Sequence, residues 1–476
     1  MNVNHWSGLA SLIILGLISF WILVPTIESP KCSESDFKGD INDASEITSY
    51  EKCRQTFNLE TEKHFGLNVL VPVPLSLFNN GTSVYFIFAI RLHQGDYDTG
   101  FAVPPDNAGR IPHLTSWFYS VWKVSYCKDG LIHHAKCSPI RYSLQRIGEA
   151  LVVKCSLKNP VNDFTRFTIS SKISFEGEEI KINYPNLLSC SEPNQQSFDL
   201  AMCTLVGEKH VSRLPEFLVY HQIIGVKKTF LYFNMKPHDY LDVKKFISPF
   251  IGNGMVVTIP YYFPTRPKPM GIQHPSSSDC LLRNRGKITW TTIIDVDEFI
   301  HFPPSSPVNT LPGLLKYYTE NIDKNAASLL FERLSYHPTN NRRIPACLCN
   351  ISFIGEWLWR DIHQVRPGKT IYRSDRIIYV NAHKSIQQHL GIVGVVPDTL
   401  GICAHFRYPA KLNVTDDAVS YLVYDPSFKD AYGDIVEERV IRSGVQLGEN
   451  CCTYKNFVPP VIPNTTVQVK HIDSLR

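Results

Sequence analysis

The residues best suited to chemistry lie in Thr291–His301, which reads T-T-I-I-D-V-D-E-F-I-H. An apolar run of strand type leads into Asp295, Val296, Asp297 and Glu298, and Phe299 and Ile300 close it. A continuous apolar run ending in carboxylates reads as a buried parallel strand whose carboxyl end opens on a site. In open α/β sheets ligands sit at that end. Alternation along a strand sends Asp295 and Asp297 to one face and Val296 to the other. Two carboxylates on one face repel each other and are costly to bury dry. A divalent cation removes that cost, and hard cations prefer oxygen ligands. The pattern therefore points to Mg²⁺ or Mn²⁺ holding a diphosphate. The competing reading of an isolated D-x-D is an acidic loop in water. Apolar residues on both sides favour the buried setting.

Such a strand needs neighbours, and the preceding sequence supplies them by alternation. Leu200–Val206 is a strand. Leu214 to Gly225 has helical spacing, with Gly225 placed to end it. Thr229–Phe233 is a strand, and Tyr240 to Phe250 is a helix ended by Gly252-Asn253-Gly254. Met255–Ile259 is a strand, Ser277 to Arg285 a short helix, and Ile288–Ile294 the strand that delivers Asp295. Strand and helix repeated three times, then a strand ending in D-x-D, predict a doubly wound nucleotide-binding half. Beyond Pro312, Leu314–Tyr318 reads as helix and Ser328–Phe331 and Arg376–Val380 as strands.

The region before it is different. Between Leu70 and Pro185 lie short β runs, among them Ser83–Ile90, Ser116–Val124, Ala150–Cys155 and Arg166–Ile169. Turn residues separate them and no helical period appears, which predicts a β-sandwich-like domain over 66–190. Cys127 and Cys137 flank Lys128-Asp129-Gly130, as if to close a hairpin.

A chain of 476 residues exceeds one ordinary domain. Its 43% hydrophobic and 19% charged content fits a globular protein, and a net charge of +4 is too mild to point to nucleic acid. Ser7 to Ile27 carries no charged side chain and suits an uncleaved signal anchor over 6–27, after a short tail at 1–5. Residues 28–65 are polar and read as a stem or linker. The 13 cysteines and the sequons at Asn80, Asn350, Asn413 and Asn464 place the bulk of the chain in an oxidising lumen, as a single-pass type II protein. The odd count leaves one thiol over, and adjacent Cys451 and Cys452 go to different partners.

These residues resemble a known family. Pro215–Val226, P-E-F-L-V-Y-H-Q-I-I-G-V, is similar to the helix signature E-W-x-x-Y-H-x-x-x-G-V, and Leu231–Asn234 to the strand that follows it. Asp279–Arg285, then Trp290 and Ile294–Ile300, is similar to D-C-x-x-R-x-R … W … I-D-x-D-E-F-I. Those are marks of glycosyltransferase family 92, and the likeness covers roughly 198–455, leaving a tail at 456–476. It departs from the pattern where Asn234-Met235-Lys236-Pro237-His238-Asp239 lacks the usual Ser, and where Val219 and Phe217 replace Glu and Trp.

The resemblance implies an α/β architecture with a GT-A (Rossmann-like) catalytic domain. It implies a nucleotide-sugar donor, UDP-galactose foremost, with Mn²⁺ (or Mg²⁺), a glycan or glycoprotein acceptor, and inversion to a β-linkage. With the anchor, it implies a Golgi membrane location. Asp297 is the expected metal ligand, and Asp295 a ligand or a contact to ribose. A late His is a common further ligand, here His405 or alternatively His383. Asn234, Arg283, Glu216 and Asp295 are expected around the donor. Arg283 and Arg285 pair with phosphate or carboxylates, or lie on a solvated helix face. Glu216 and His221, at i and i+5, serve separate structural jobs. Glu298 is an active-site carboxylate or a turn cap. An inverting transfer needs a carboxylate base, for which Glu298, Glu356 and Asp361 are the candidates. Trp357 and Trp359 could stack on a sugar or fill a core.

Two other classes compete. A haloacid dehalogenase-type phosphohydrolase also has strand-D-x-D, but there Gly-Thr-Leu/Val normally follows and the strand is the first of its domain. A catalytically silent glycan-binding protein of the same fold is the second.

Overall fold

The computed structural model describes residues 72–79, 82–90, 117, 119–140, 150–161, 165–175, 178–189, 198–261, 270–337, 354, 358–361, 366–380, 385–388, 390–406, 422–443 and 445. The expected anchor, stem and C-terminal tail, all four sequons, Glu356, Trp357, His383, Cys451 and Cys452 lie outside the described residues, as does the side chain of Asp361. Among the described residues no helix is long and apolar enough to cross a membrane.

Seven antiparallel strands form the first sheet: β1 (Pro72–Asn79), β2 (Ser83–Ile90), β3 (Val121–Lys128), β4 (Leu131–Pro139), β5 (Ala150–Ser156), β6 (Arg166–Phe175) and β7 (Glu178–Leu188). Their spatial order is β1-β2-β5-β4-β3-β6-β7. Along β3, Trp122, Val124 and Tyr126 point inward while Val121 and Lys123 face water. That alternation is the two-residue period of a half-buried strand. Asp129 and Gly130 take positive φ, 53° and 74°, which suits the tight β3–β4 turn.

One sheet thus stands, among the described residues, where the two sheets of a sandwich were expected. It closes by rolling. Phe88 on β2 meets Trp122 on β3 at 5.0 Å although β5 and β4 lie between. Tyr184 of β7 donates its hydroxyl hydrogen to the Pro72 carbonyl of β1, joining the two edges. The large aromatic side chains of one face satisfy one another across the curl, so no second sheet is needed to cover them. The cysteine expectation also changes. Cys137 stands opposite Cys155 in the β4–β5 register and is bridged to it, with 4.0 Å between Cα atoms. Cys127 is disulfide-bonded elsewhere and faces Ile132.

The second sheet has eleven strands among the described residues. Its first half runs β8 (Phe198–Gly207), a 3-10 turn (Glu208–Arg213), α1 (Leu214–Ile223), β9 (Lys228–Asn234), α2 (Pro237–Phe246), α3 (Ser248–Gly252), β10 (Val256–Pro260), α4 (Met270–Asn284) and β11 (Ile288–Ile293). These strands are parallel in the order β10-β9-β8-β11. Apolar runs such as T-F-L-Y-F in β9 are buried along their length, as parallel strands covered on both faces require. The helix expected at Tyr240–Phe250 is split at Ile247, where Pro249 opens a new helix. The helix expected from Ser277 begins at Met270 and runs through Pro275.

The sheet continues with β12 (Glu298–His301), α5 (Leu311–Asn321), β13 (Ala326–His337), β14 (Trp359–Asp361), β15 (Arg366–Arg373), β16 (Ile377–Val380), β17 (Ser385–Gln388), β18 (Ile392–Val395), β19 (Ile402–Phe406), β20 (Leu422–Tyr424) and α6 (Ser427–Arg442). β15 lies antiparallel to β11, β12 pairs antiparallel with β19, and β16 and β17 form a separate hairpin. Helix α1 is apolar all round and buried from Leu214 to His221, so it is a core helix. Tyr220 stacks on Phe428 of α6 at 5.1 Å and meets Phe299 of β12 edge-on at 5.2 Å. Gly225 ends the segment with φ +99°, and a Cβ there would lie 2.7 Å from Pro312 Cδ.

Helix α4 belongs to both sheets. Cys280 is disulfide-bonded to Cys203 of β8, while Leu282 packs with Tyr85, Ile87 and Val152 of the first sheet. Arg283 pairs with Asp279 at 2.9 Å, both side chains almost wholly buried. Ser76 of β1 donates to Asp279 at 2.7 Å and accepts from Arg283 at 3.0 Å, and the guanidinium lies 5.1 Å from the Phe78 ring centroid.

Replacing Arg283 by Ala strands a buried carboxylate, so we expect a loss of about 3–5 kcal/mol. Ser76→Ala removes hydrogen bonds alone and should cost about 1–3 kcal/mol. Urea unfolding of both variants checks this. A loss under about 1 kcal/mol for Arg283→Ala would contradict the clamp.

Candidate active site

In the order β10-β9-β8-β11 the chain works outward from β8 on one side and then resumes on the other. Such a reversal between β8 and β11 opens a crevice at the carboxyl ends of those strands. Two short segments line it. The 3-10 turn after β8 carries His210 and Arg213. Ile294–Asp297 follows β11 and is tied to β8 by a bond from the Ile294 amide to the Cys203 carbonyl, 3.1 Å.

The D-x-D segment is a turn, closed by the Glu298 amide on the Asp295 carbonyl at 2.9 Å. The segment leaves strand geometry, yet Asp295 and Asp297 both keep partly exposed side chains with Val296 buried between them, as alternation predicts. Each carboxylate has its own partner. Asp295 accepts from Lys369 Nζ on one oxygen and from Gln273 Nε2 on the other, both at 2.8 Å. Lys369, fully buried on β15, also reaches Glu298 at 3.1 Å. Asp297 faces His405 of β19, Oδ2 to Nε2 3.6 Å, and both remain partly open to solvent. The register of β12 and β19 sets Glu298 opposite His405, and the Phe406 amide donates to the Asp297 carbonyl at 2.8 Å. Arg213 Nη1 donates to the Phe406 carbonyl at 3.4 Å.

The electrostatics follow this wiring. Burial alone would raise the Asp295 carboxyl, but the charge of Lys369 outweighs it and holds the group below its ordinary value. Burial likewise opposes ionisation of Asp297. The hydrogen bond and charge of His405, aided by His210 and Arg213, keep it well below the carboxylate range. Glu298 shifts upward, through burial and the charge of Asp295 against the pull of Lys369. Lys369 stays charged despite burial, because Asp295 and Glu298 flank it.

The expected site residues divide. Asp295, Asp297, Glu298 and His405 come together. Asn234, half-buried, ends β9 at the same sheet edge, next to β8 with Gly207 as its partner. Arg283 does not join them, since its guanidinium is committed to Asp279 and Ser76 on the far side of α4. Arg285 bonds the Ser374 and Ile377 carbonyls, so it braces the β15–β16 connection rather than a phosphate or open water. Glu216 is buried and accepts from the Ile354 amide at 2.9 Å, a structural job in place of a donor contact. Glu298 is 1% exposed and bound to Lys369, so it lies behind the crevice and not beside an acceptor hydroxyl. Trp359 packs edge-on against Tyr424 at 5.6 Å and is half-buried. Gln273, Lys369, His210 and Arg213 are the residues that sequence reasoning missed.

The comparisons bear on this geometry. The sequence model of glycosyltransferase family 92 matches residues 197–441. A glycosyltransferase family 92 protein of Ricinus communis is 25% identical over 257 residues, which is 49% of this chain and 44% of that one. The β-1,4-galactosyltransferase galt-1 of Caenorhabditis elegans is 26% identical over 161 residues, 32% of this chain and 37% of its own. The matched part is thus less than half the length of these curated relatives. Among solved structures, the mannosyltransferase PcManGT of Pyrobaculum calidifontis, in complex with GDP-Man and Mn²⁺, gives a TM-score of 0.27 at 9% identity. That match covers 54% of this chain and 72% of the other. At that score no common fold is established.

His221, on the signature helix, is a core residue. Its Nδ1 bonds the Phe217 carbonyl at 2.8 Å and its ring packs on Phe217 and Phe299. Burial lowers its pKa to about 4, and burial does the same to His301 despite an opposing pull from Asp425. In the unfolded chain both titrate near 6.5. Between those values the unfolded state binds more protons, so stability should fall as pH drops from about 6.5 to about 4, then level off for these groups. The loss is at most on the order of 3 kcal/mol for each imidazole. The lowered carboxylates lose their contribution only below about pH 4, outside this window. The raised Glu298 carboxyl works in the opposite sense, so the check is made on Glu298→Gln, where a melting temperature unchanged between pH 7 and 4.5 would contradict neutral buried histidines.

Proposed function

The chain belongs to glycosyltransferase family 92, and we propose on that premise that it transfers a hexose from a nucleotide sugar to a glycan hydroxyl. The observation that carries the reading is the Asp297–His405 pair at the crevice between β8 and β11, 3.6 Å apart and partly open. We propose further a GT-A catalytic domain, galactose from UDP-galactose as donor, a glycan or glycoprotein acceptor, and inversion to a β-linkage. The name of the Caenorhabditis elegans relative supports the galactose reading.

The residues present fit a divalent cation such as Mn²⁺ or Mg²⁺. Among the described residues no group of three or more His, Cys, Asp and Glu side chains is arranged to hold a metal ion, and the pair that would serve as the protein's donors is Asp297 with His405. Such ions commonly keep waters and bind through one or two protein groups plus substrate phosphates. When bound, the cation would offset charge developing on the departing nucleoside diphosphate. Asp297 contributes a carboxylate kept ionised, and His405 a nitrogen oriented toward it. Asn234, at the adjacent strand end, would meet the donor. Glu356 and Asp361, in the aromatic stretch with Trp357 and Trp359, stay candidates for the base that takes the acceptor proton. The described disulfides support an oxidising compartment, consistent with a single-pass type II protein of the Golgi membrane.

Asp297→Asn exchanges a charged oxygen for a neutral one at a fixed place. Transfer by the full-length chain should fall at least about 10²-fold, with little change in melting temperature. The check is turnover against Mn²⁺ concentration beside a melting curve. A folded variant with wild-type turnover and metal dependence would refute the assignment and leave a silent glycan binder as the better reading. The topology has its own check. Glycosidase treatment of the expressed chain should lower its apparent mass, and an unchanged mass would defeat the lumenal placement.

A further inference from the structure

The two aspartates of the motif are alike in sequence but not in surroundings. Both oxygens of Asp295 already have protein donors, Gln273 on one and Lys369 on the other. Glu298, 1% exposed, takes Lys369 at 3.1 Å and the Asp295 amide at 3.2 Å, both on Oε2. Asp297 faces the His405 imidazole across 3.6 Å, with His210 and Arg213 adding charge nearby, and its side chain is 19% exposed against 32% for Asp295, so it is their partners that set the two apart. We propose that Lys369 is a positioning residue: a built-in cation that holds Asp295 and Glu298 and so leaves Asp297 and His405 as the metal's protein donors.

The backbone around Lys369 is built to deliver that ammonium. Its neighbour Gly368 lies where a Cβ would come within 2.8 Å of the Phe331 carbonyl oxygen and 3.0 Å of Cys403 Cβ. β15 is thereby pressed onto β13 and β19, with no room for a side chain at 368. Beyond Ile293, which faces Thr370, the register brings Lys369 alongside the segment that follows β11. An ammonium is compact and gives three donors, which suits two carboxylates at one point; a planar guanidinium is wider. A metal ion competing for Asp295 would have to displace a cation that has no water to retreat into. Asp295 therefore anchors the turn, and the turn aims Asp297. The inference rests on the metal reading above.

Mn²⁺ alone is the probe. Its binding to the full-length chain is read from the loss of the free-ion paramagnetic resonance signal. This readout does not depend on turnover, and a purely structural lysine would not change it selectively. Asp295→Asn should keep Mn²⁺ affinity within about threefold of wild type, while Asp297→Asn weakens it at least about tenfold. Lys369→Met should free Asp295 and strengthen Mn²⁺ binding at least about fivefold, and adding Asp295→Asn should cancel the gain. If circular dichroism shows Lys369→Met unfolded, Lys369→Met with Glu298→Gln takes its place. If that variant is unfolded too, the two aspartate variants decide alone. Equal weakening by Asp295→Asn and Asp297→Asn would overturn the inference while leaving the metal reading intact. So would a folded Lys369→Met protein with unchanged or weaker affinity. A wild-type chain that binds no Mn²⁺ would overturn the metal reading itself, and this inference with it.

Discussion

The ammonium of Lys369 is the fixed point on which the site is built. Three carboxylates fall within four residues of one another, from Asp295 to Glu298, at the buried edge of a sheet. Charges removed from water cost several kcal/mol each unless they are paired and hydrogen-bonded. Lys369 meets two of the three, Gln273 completes Asp295, and the turn closed by Glu298 and Asp295 keeps the arrangement compact. The third carboxylate, Asp297, faces His405. One internal cation thus holds two of the three carboxylates and leaves the third to His405.

The surrounding fold holds that separation in register. Parallel strands β8 and β11 set the crevice, β15 brings Lys369 from the antiparallel side, and β19 brings His405. Helix α4 links the site to the first sheet. Its early turns carry Gln273 to Asp295, and its later turns carry the Asp279–Arg283 pair to Ser76 and Phe78. The rolled sheet is therefore a buttress for the helix that steadies Asp295. Its own core, around Phe86, Phe88, Trp122 and Phe167, lies on the opposite face.

Much of the second sheet was legible in the sequence, because buried parallel strands are apolar runs and their helices are punctuated by Gly and Pro. The strand leading to Asp295 and the three strand–helix units before it stand close to where the pattern put them. The misreadings have physical causes. Pro275 reads as a helix boundary, yet α4 runs through it, and this hid Gln273. The strand ends at Ile293 and a turn carries Asp295 to Asp297, though the expected alternation of exposure persists through Val296. Lys369 lies 72 residues beyond Asp297 in an unremarkable β run, and only the antiparallel pairing of β15 with β11 brings it near. Arg283 and Glu216 carry the right chemistry for a phosphate or a base pocket. Burial against Asp279 and the Ile354 amide assigns them elsewhere. His405 was named, with His383 as the alternative, because the family resemblance implies a late His, and the structure sets it 3.6 Å from Asp297. The front region read correctly as antiparallel β, but a rolled single sheet and a sandwich share the same two-residue period.

The central claim is that a divalent cation at the β8–β11 crevice is held by Asp297 and His405, with Asp295 kept by Lys369. The most direct measurement is anomalous diffraction at the manganese edge from crystals of the chain grown with Mn²⁺ and UDP. The account predicts one anomalous peak within bonding distance of an Asp297 oxygen and the His405 Nε2, with Lys369 still seated on Asp295. A peak bonded to Asp295 with Lys369 displaced, or UDP bound at the crevice with no manganese beside Asp297, would contradict it.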